Sequence, residues 1–186
     1  REWHSHLVLV AAAVFLSLFA NGAFFRNISS AFTGLPWATA HLVSLGLFLL
    51  CATLLLLSLL TFRVVLKPVL TVLFLVSAAT AYFMDSYNVI IDSDMIASVA
   101  ATNVAESLDL VSPRLLIYLT LLGLLPSLLL WHIRITPVTV WRAARARFAL
   151  VGAALSVMLF LALISSPFYA SFVREHKPLR YYANPL

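Results

Sequence analysis

The chain has 186 residues, 63% of them hydrophobic and 10% charged, with a mean hydropathy of +1.03. That composition excludes a soluble domain and places the chain in a bilayer. Its formal charge of +5 is then a question of where the basic residues sit relative to the membrane, not a sign of a nucleic-acid partner.

A crossing helix needs about 20 apolar residues. Five stretches approach that length: Leu7–Phe25, His41–Phe62, Val69–Phe83, Arg114–Trp131 and Phe148–Pro167. The pattern predicts an all-α membrane protein of five transmembrane helices within residues 1–167, followed by the start of a linker over 168–186. In the first stretch, Ala20-Asn21-Gly22 offers the small residues of a signal-peptide cleavage site, but the apolar run resumes at Ala23-Phe24-Phe25, which predicts a retained span. The second begins at His41, read as a capping or interfacial side chain, and holds Cys51, the single cysteine, so an intrachain disulfide is excluded. The third is short and must borrow from Val64 or from Asp85–Tyr87. In the fourth, Gly123 and Pro126 predict a kink that does not end the helix.

With the N-terminus assigned to the cytoplasm, Arg1, Arg63, Lys67, Arg134, Arg142, Arg145 and Arg147 fall inside, seven of the twelve Lys and Arg. Arg26, Arg114, Arg174, Lys177 and Arg180 fall outside. The cluster Arg142, Arg145 and Arg147, read as a short basic loop before the fifth span, favours this orientation. The C-terminus then lies outside as well. Trp37, Tyr82, Tyr87, Trp131, Trp141 and Tyr169 all lie near span ends, as headgroup-level aromatics do.

Between the third and fourth spans lies DMIASVAATNVAESLD, Asp94–Asp109. At about 100° per residue, Asp94, Ser98, Thr102, Glu106 and Asp109 fall within an arc of about 120°. This predicts a short amphipathic helix over 92–112, capped by Asp92 or Ser93 and closed by Pro113. Lying on the outer leaflet, it would present a hydroxyl and a carboxylate one turn apart. The carboxylate can pair with an ammonium and the hydroxyl can donate to a phosphate or glycerol oxygen, which suits a zwitterionic amine lipid. A merely solvated face is the plain alternative.

The runs Tyr87-Asn88-Val89-Ile90-Ile91-Asp92, Asp94-Met95, Thr102, Ala105-Glu106, Leu108-Asp109-Leu110 and Pro113-Arg114-Leu115 resemble bacterial lipid A phosphoethanolamine transferases, including the mobile colistin-resistance enzymes. Leu121-Leu122-Gly123-Leu124-Leu125-Pro126, Trp131-His132-Ile133-Arg134-Ile135, His176-Lys177-Pro178-Leu179-Arg180 and Asn184-Pro185 carry the same resemblance. It implies a five-span inner-membrane domain followed by a periplasmic domain of alkaline-phosphatase-like fold, with zinc and a threonine nucleophile. That threonine takes phosphoethanolamine from phosphatidylethanolamine and passes it to lipid A, which weakens the binding of cationic peptides. The zinc ligands and the nucleophile are expected outside these 186 residues, so the fragment alone is expected to be inactive. In the family an Asn, a Thr and a Glu at four-residue spacing are thought to contact the donor headgroup. Thr102 and Glu106 match the second and third, while Ser98 stands at the first and keeps only a hydroxyl.

Asn21 and Asp85 lie near outer span ends, where headgroup-level hydration accounts for them most simply. His176, Arg174, Lys177 and Arg180 either steer anionic lipid A phosphates or form a solvated linker. No Gly-rich phosphate loop, paired catalytic acids or Ser-His-Asp set is visible. Two other classes are weighed: a small transporter or channel, disfavoured because no charge lies mid-span, and an anchor with no lipid specificity.

Overall fold

A computed structural model describes residues 2–32, 38–61, 65–88, 112–136, 139–166, 168–169, 174 and 183–185. Among them the chain forms six helices: α1 Ser5–Phe19, α2 Gly22–Ala31, α3 Ala38–Leu60, α4 Leu66–Tyr87, α5 Pro113–His132 and α6 Val140–Ile164. α1 packs against α3, α4 and α6, while α5 lies along α4. Leu9, Leu16, Leu57, Leu66 and Leu70 are fully buried between them. A second apolar cluster of Phe24, Ile28, Phe32, Leu45, Leu49 and Met84 fills the space under α2.

α3, α4, α5 and the stretch Trp141–Ile164 of α6 are each long and apolar enough to cross a bilayer. The first predicted span is not one straight helix. α1 alone has 15 residues, about 22 Å, short of a hydrocarbon core of about 30 Å. α1 and α2 reach span length only as a pair bent by 54° at Ala20 and Asn21. The bend has a cause in side-chain chemistry: the Asn21 amide donates to the carbonyl of Leu16 at 2.9 Å, a backbone acceptor at the end of α1.

α4 extends through Asp85 to Tyr87, as the short third stretch required, and stops at Asn88 in the left-handed conformation at φ 51°. In α5 the turns widen to π-type over Leu119–Leu124, one turn before Pro126, which has no N–H to offer the Leu122 carbonyl. Gly123 lets α5 approach α4 closely, since a Cβ there would stand 2.9 Å from Leu75 Cδ2. α6 begins at Val140, eight residues before Phe148, so Arg142, Arg145 and Arg147 occupy its first turns and not a loop. Arginine stems lie along a helix while their heads stay in water, so charge does not end the helix.

One end of the bundle is basic. There β1 Glu2–Trp3 and β2 Arg134–Ile135 pair in parallel, Glu2 opposite Arg134 and Trp3 opposite Ile135. Lys67 Nζ donates to the carbonyls of Trp131 at 3.3 Å and Ile133 at 2.8 Å, at the end of α5. Arg147 donates to the carbonyl of Thr61, just past α3. Both cations satisfy carbonyls that a helix end leaves open.

Candidate functional site

At the opposite end, where α4 finishes and α5 starts, side chains bond one another across helices. Asp85 of α4 accepts from Arg26 Nη2 of α2 at 3.2 Å on Oδ1 and from Tyr118 Oη of α5 at 3.0 Å on Oδ2. Its side chain is only 10% exposed against 55% for Arg26, so the carboxylate sits inside and the guanidinium faces out. Gly22 makes the room, because a Cβ there would lie 3.0 and 3.1 Å from the two carboxylate oxygens. The charge therefore rests beside the N-terminus of α2, where the helix dipole favours an anion and α2 has no acidic residue in its own first turn.

The same platform frames residues 89–111. Asn27 Nδ2 of α2 donates to Asn88 Oδ1 at 3.0 Å and to the carbonyl of Ala23 at 2.9 Å. Ser112 Oγ lies 2.7 Å from Tyr82 Oη and accepts from the Leu115 N–H at 3.1 Å, capping α5. The Tyr82 and Tyr118 rings meet edge to face at 5.8 Å. Asn88 and Ser112, the residues on either side of the segment, are thus both fixed to one polar patch.

A third feature ties the chain after α6 to this end. Asn21 and Asn184, 1% and 3% exposed, bond reciprocally: Asn21 Nδ2 donates to the Asn184 carbonyl at 2.6 Å, and the Asn184 N–H donates to Asn21 Oδ1 at 2.7 Å. Asn184 Nδ2 adds bonds to the carbonyls of Ser77 at 2.8 Å and Ala20 at 3.2 Å. Nearer α6, Phe168 stacks on His41 at 4.0 Å, and Tyr169 Oη lies 2.6 Å from Ser44 Oγ on α3. Burial holds the Tyr169 hydroxyl above its ordinary range, with the Ser44 bond acting in the opposite sense, so it stays protonated at neutral pH.

Ser98, Thr102 and Glu106 lie outside the described residues, as does the predicted amphipathic helix except for Ser112, which is an extended N-cap residue and not helical. Asn21 and Asp85 correct the expectation of headgroup-level hydration. Both are internal: Asn21 is buried and fully bonded, and Asp85 is paired on both oxygens. Sequence reasoning noted Asn184 only as part of an Asn-Pro pair that carries the resemblance and missed its bond to Asn21, because the two lie 163 positions apart. His41 stacks on Phe168. Among the described residues no group of three or more His, Cys, Asp and Glu is placed to hold a metal ion.

These features define a helical membrane domain with a polar platform at one end that frames the segment between α4 and α5. Residues 49–186 match the family model described as phosphoethanolamine transferase EptA/EptB, and the chain belongs to that family. It is 38% identical over its whole length to the phosphatidylethanolamine transferase Mcr-1 of Escherichia coli and covers 35% of that protein. It is 32% identical, over 92% of its length, to the phosphoethanolamine transferase EptA of Escherichia coli K12, of which it covers 32%. The chain thus spans about a third of the length of the curated relatives it matches. Its fold matches the integral membrane lipooligosaccharide phosphoethanolamine transferase A of Neisseria meningitidis at a TM-score of 0.94. That match has 22% identity and covers all of this chain and 34% of the other.

Proposed function

We propose that these residues are the membrane domain of an enzyme that moves phosphoethanolamine from phosphatidylethanolamine to lipid A. In this reading the first helix pair and the four longer helices cross the inner membrane five times. The N-terminus is cytoplasmic, and the polar platform and C-terminus face the periplasm. Residues 1–167 form the five-span domain, and 168–186 begin the linker to a periplasmic domain that carries the threonine nucleophile and its zinc. The domain holds that catalytic part at the membrane and presents the donor lipid to it.

The donor headgroup is taken by Glu106 and Thr102, with Ser98 as a weaker third contact. A carboxylate pairs with the ammonium and a hydroxyl donates to the phosphate. One observation carries this reading: Asn88 and Ser112 are fixed to the same platform, so the segment bearing these residues begins and ends there. The names of Mcr-1 and of the EptA proteins add support for the reaction class.

Replacing Glu106 with Ala in the chain together with its periplasmic domain tests the assignment. Transfer is expected to fall by at least tenfold at unchanged expression, the loss of one charge-assisted headgroup contact worth about 1.5–3 kcal/mol. Unchanged transfer would leave this domain a plain anchor.

A further inference from the structure

The basic end uses two of its cations internally and leaves others facing out. Lys67 and Arg147 are spent on helix-end carbonyls. Arg142 and Arg145 are exposed on the first two turns of α6. Three residues apart, they are neighbours on the helix surface, with Cβ atoms about 5–6 Å from each other. Trp141, Arg145 and Phe148 follow the spacing i, i+4, i+7 and share one stripe, and the two rings are 72% and 77% exposed. Asp85 lies at the other end of the bundle, and Glu2 of β1 stands opposite Arg134 of β2, off α6.

The apolar run of α6 starts at Phe148, directly after the three arginines of its first turns. The stripe consequently stands where headgroups meet acyl chains, with the rings at the boundary and the guanidiniums at phosphate depth. We propose that Arg142 and Arg145, flanked by Trp141 and Phe148, form a binding site for the headgroup of an anionic phospholipid. A guanidinium takes two phosphate oxygens side by side, and two guanidiniums on adjacent turns match a headgroup with net negative charge. A zwitterionic lipid brings the same phosphate with a cation attached, which the pair repels. This site is separate from the donor-lipid reading and stands at the opposite end of the molecule.

Native mass spectrometry of the chain in detergent, titrated with phosphatidylglycerol and with phosphatidylcholine, tests it. The wild type should bind the anionic lipid preferentially. A basic residue near a headgroup contributes about fivefold, so Arg142→Gln together with Arg145→Gln should weaken phosphatidylglycerol binding roughly 25-fold and leave phosphatidylcholine unchanged. Arg134→Gln, an exposed cation at the same end but off the stripe, should change binding little, and the double Arg→Lys variant should keep most of the preference. Because both arginines are exposed, the melting temperature of the double Gln variant should not move. Equal binding of the two lipids by the wild type would overturn the proposal. So would a preference that survives the double substitution, or an equal loss in Arg134→Gln, which would make the effect one of net charge.

Discussion

At the basic end of the bundle a lysine and an arginine close helix ends onto backbone carbonyls. At the polar end a carboxylate, a guanidinium, two phenols, four asparagines and a serine form cross-element bonds that join α2, α4, α5 and residue 184. The first arrangement satisfies helix termini, which any bundle must do. The second spends buried polar groups on holding several elements in one mutual position, and a network of that kind loses more than the sum of its bonds when one member is removed. The difference teaches where the molecule needs fixed geometry: around the bend of α1 and α2, the exit of the chain after α6, and the two flanks of the α4–α5 connection.

That contrast ranks the effects of substitutions. Asn184→Leu removes the side-chain donor to the buried carbonyls of Ser77 and Ala20, while its backbone keeps both bonds to Asn21, so it should cost the most, about 3 kcal/mol, read as the fall in melting temperature of the domain in detergent. Asp85→Ala strands Tyr118 and releases Arg26. It should cost about 2 kcal/mol, less than Asn184→Leu because the exposed guanidinium is rehydrated, and Asp85→Asn should recover part of this loss. Lys67→Met should cost about 1 kcal/mol, since the carbonyls it serves lie at a helix end that water can reach. If Lys67→Met proved as damaging as Asn184→Leu, the distinction between the two ends would fail.

Most of the helices were legible in the sequence because lipid leaves a chain few choices: a long apolar run must satisfy its own backbone and so becomes a helix. The shortness of Val69–Phe83 likewise forecast an extension to Tyr87. The break of the first span was not legible. Ala20-Asn21-Gly22 sits in a run long enough to cross, and the reason it bends includes a partner 163 residues downstream. The start of α6 was misread for a different reason, because arginines suit a basic loop and the first turns of a helix equally well. Asp85 was visible as a polar residue at a span end, but its pairing depends on Arg26 and Tyr118 arriving from two other helices, which spacing along the chain does not encode. Of the candidate headgroup residues, Ser98, Thr102 and Glu106 were named from their spacing and from resemblance, and what the fold adds is the position of their flanks.

The measurement that tests the central claim most directly compares phosphatidylethanolamine with phosphatidylcholine, two zwitterionic lipids that differ in whether the amine can donate hydrogen bonds. Binding of each to the purified domain would be followed by native mass spectrometry for the wild type and for Glu106→Ala. The account predicts that the wild type prefers the ethanolamine lipid and that the substitution abolishes the preference without lowering phosphatidylcholine binding. Equal binding of both lipids by the wild type, or a preference that survives in Glu106→Ala, would contradict it.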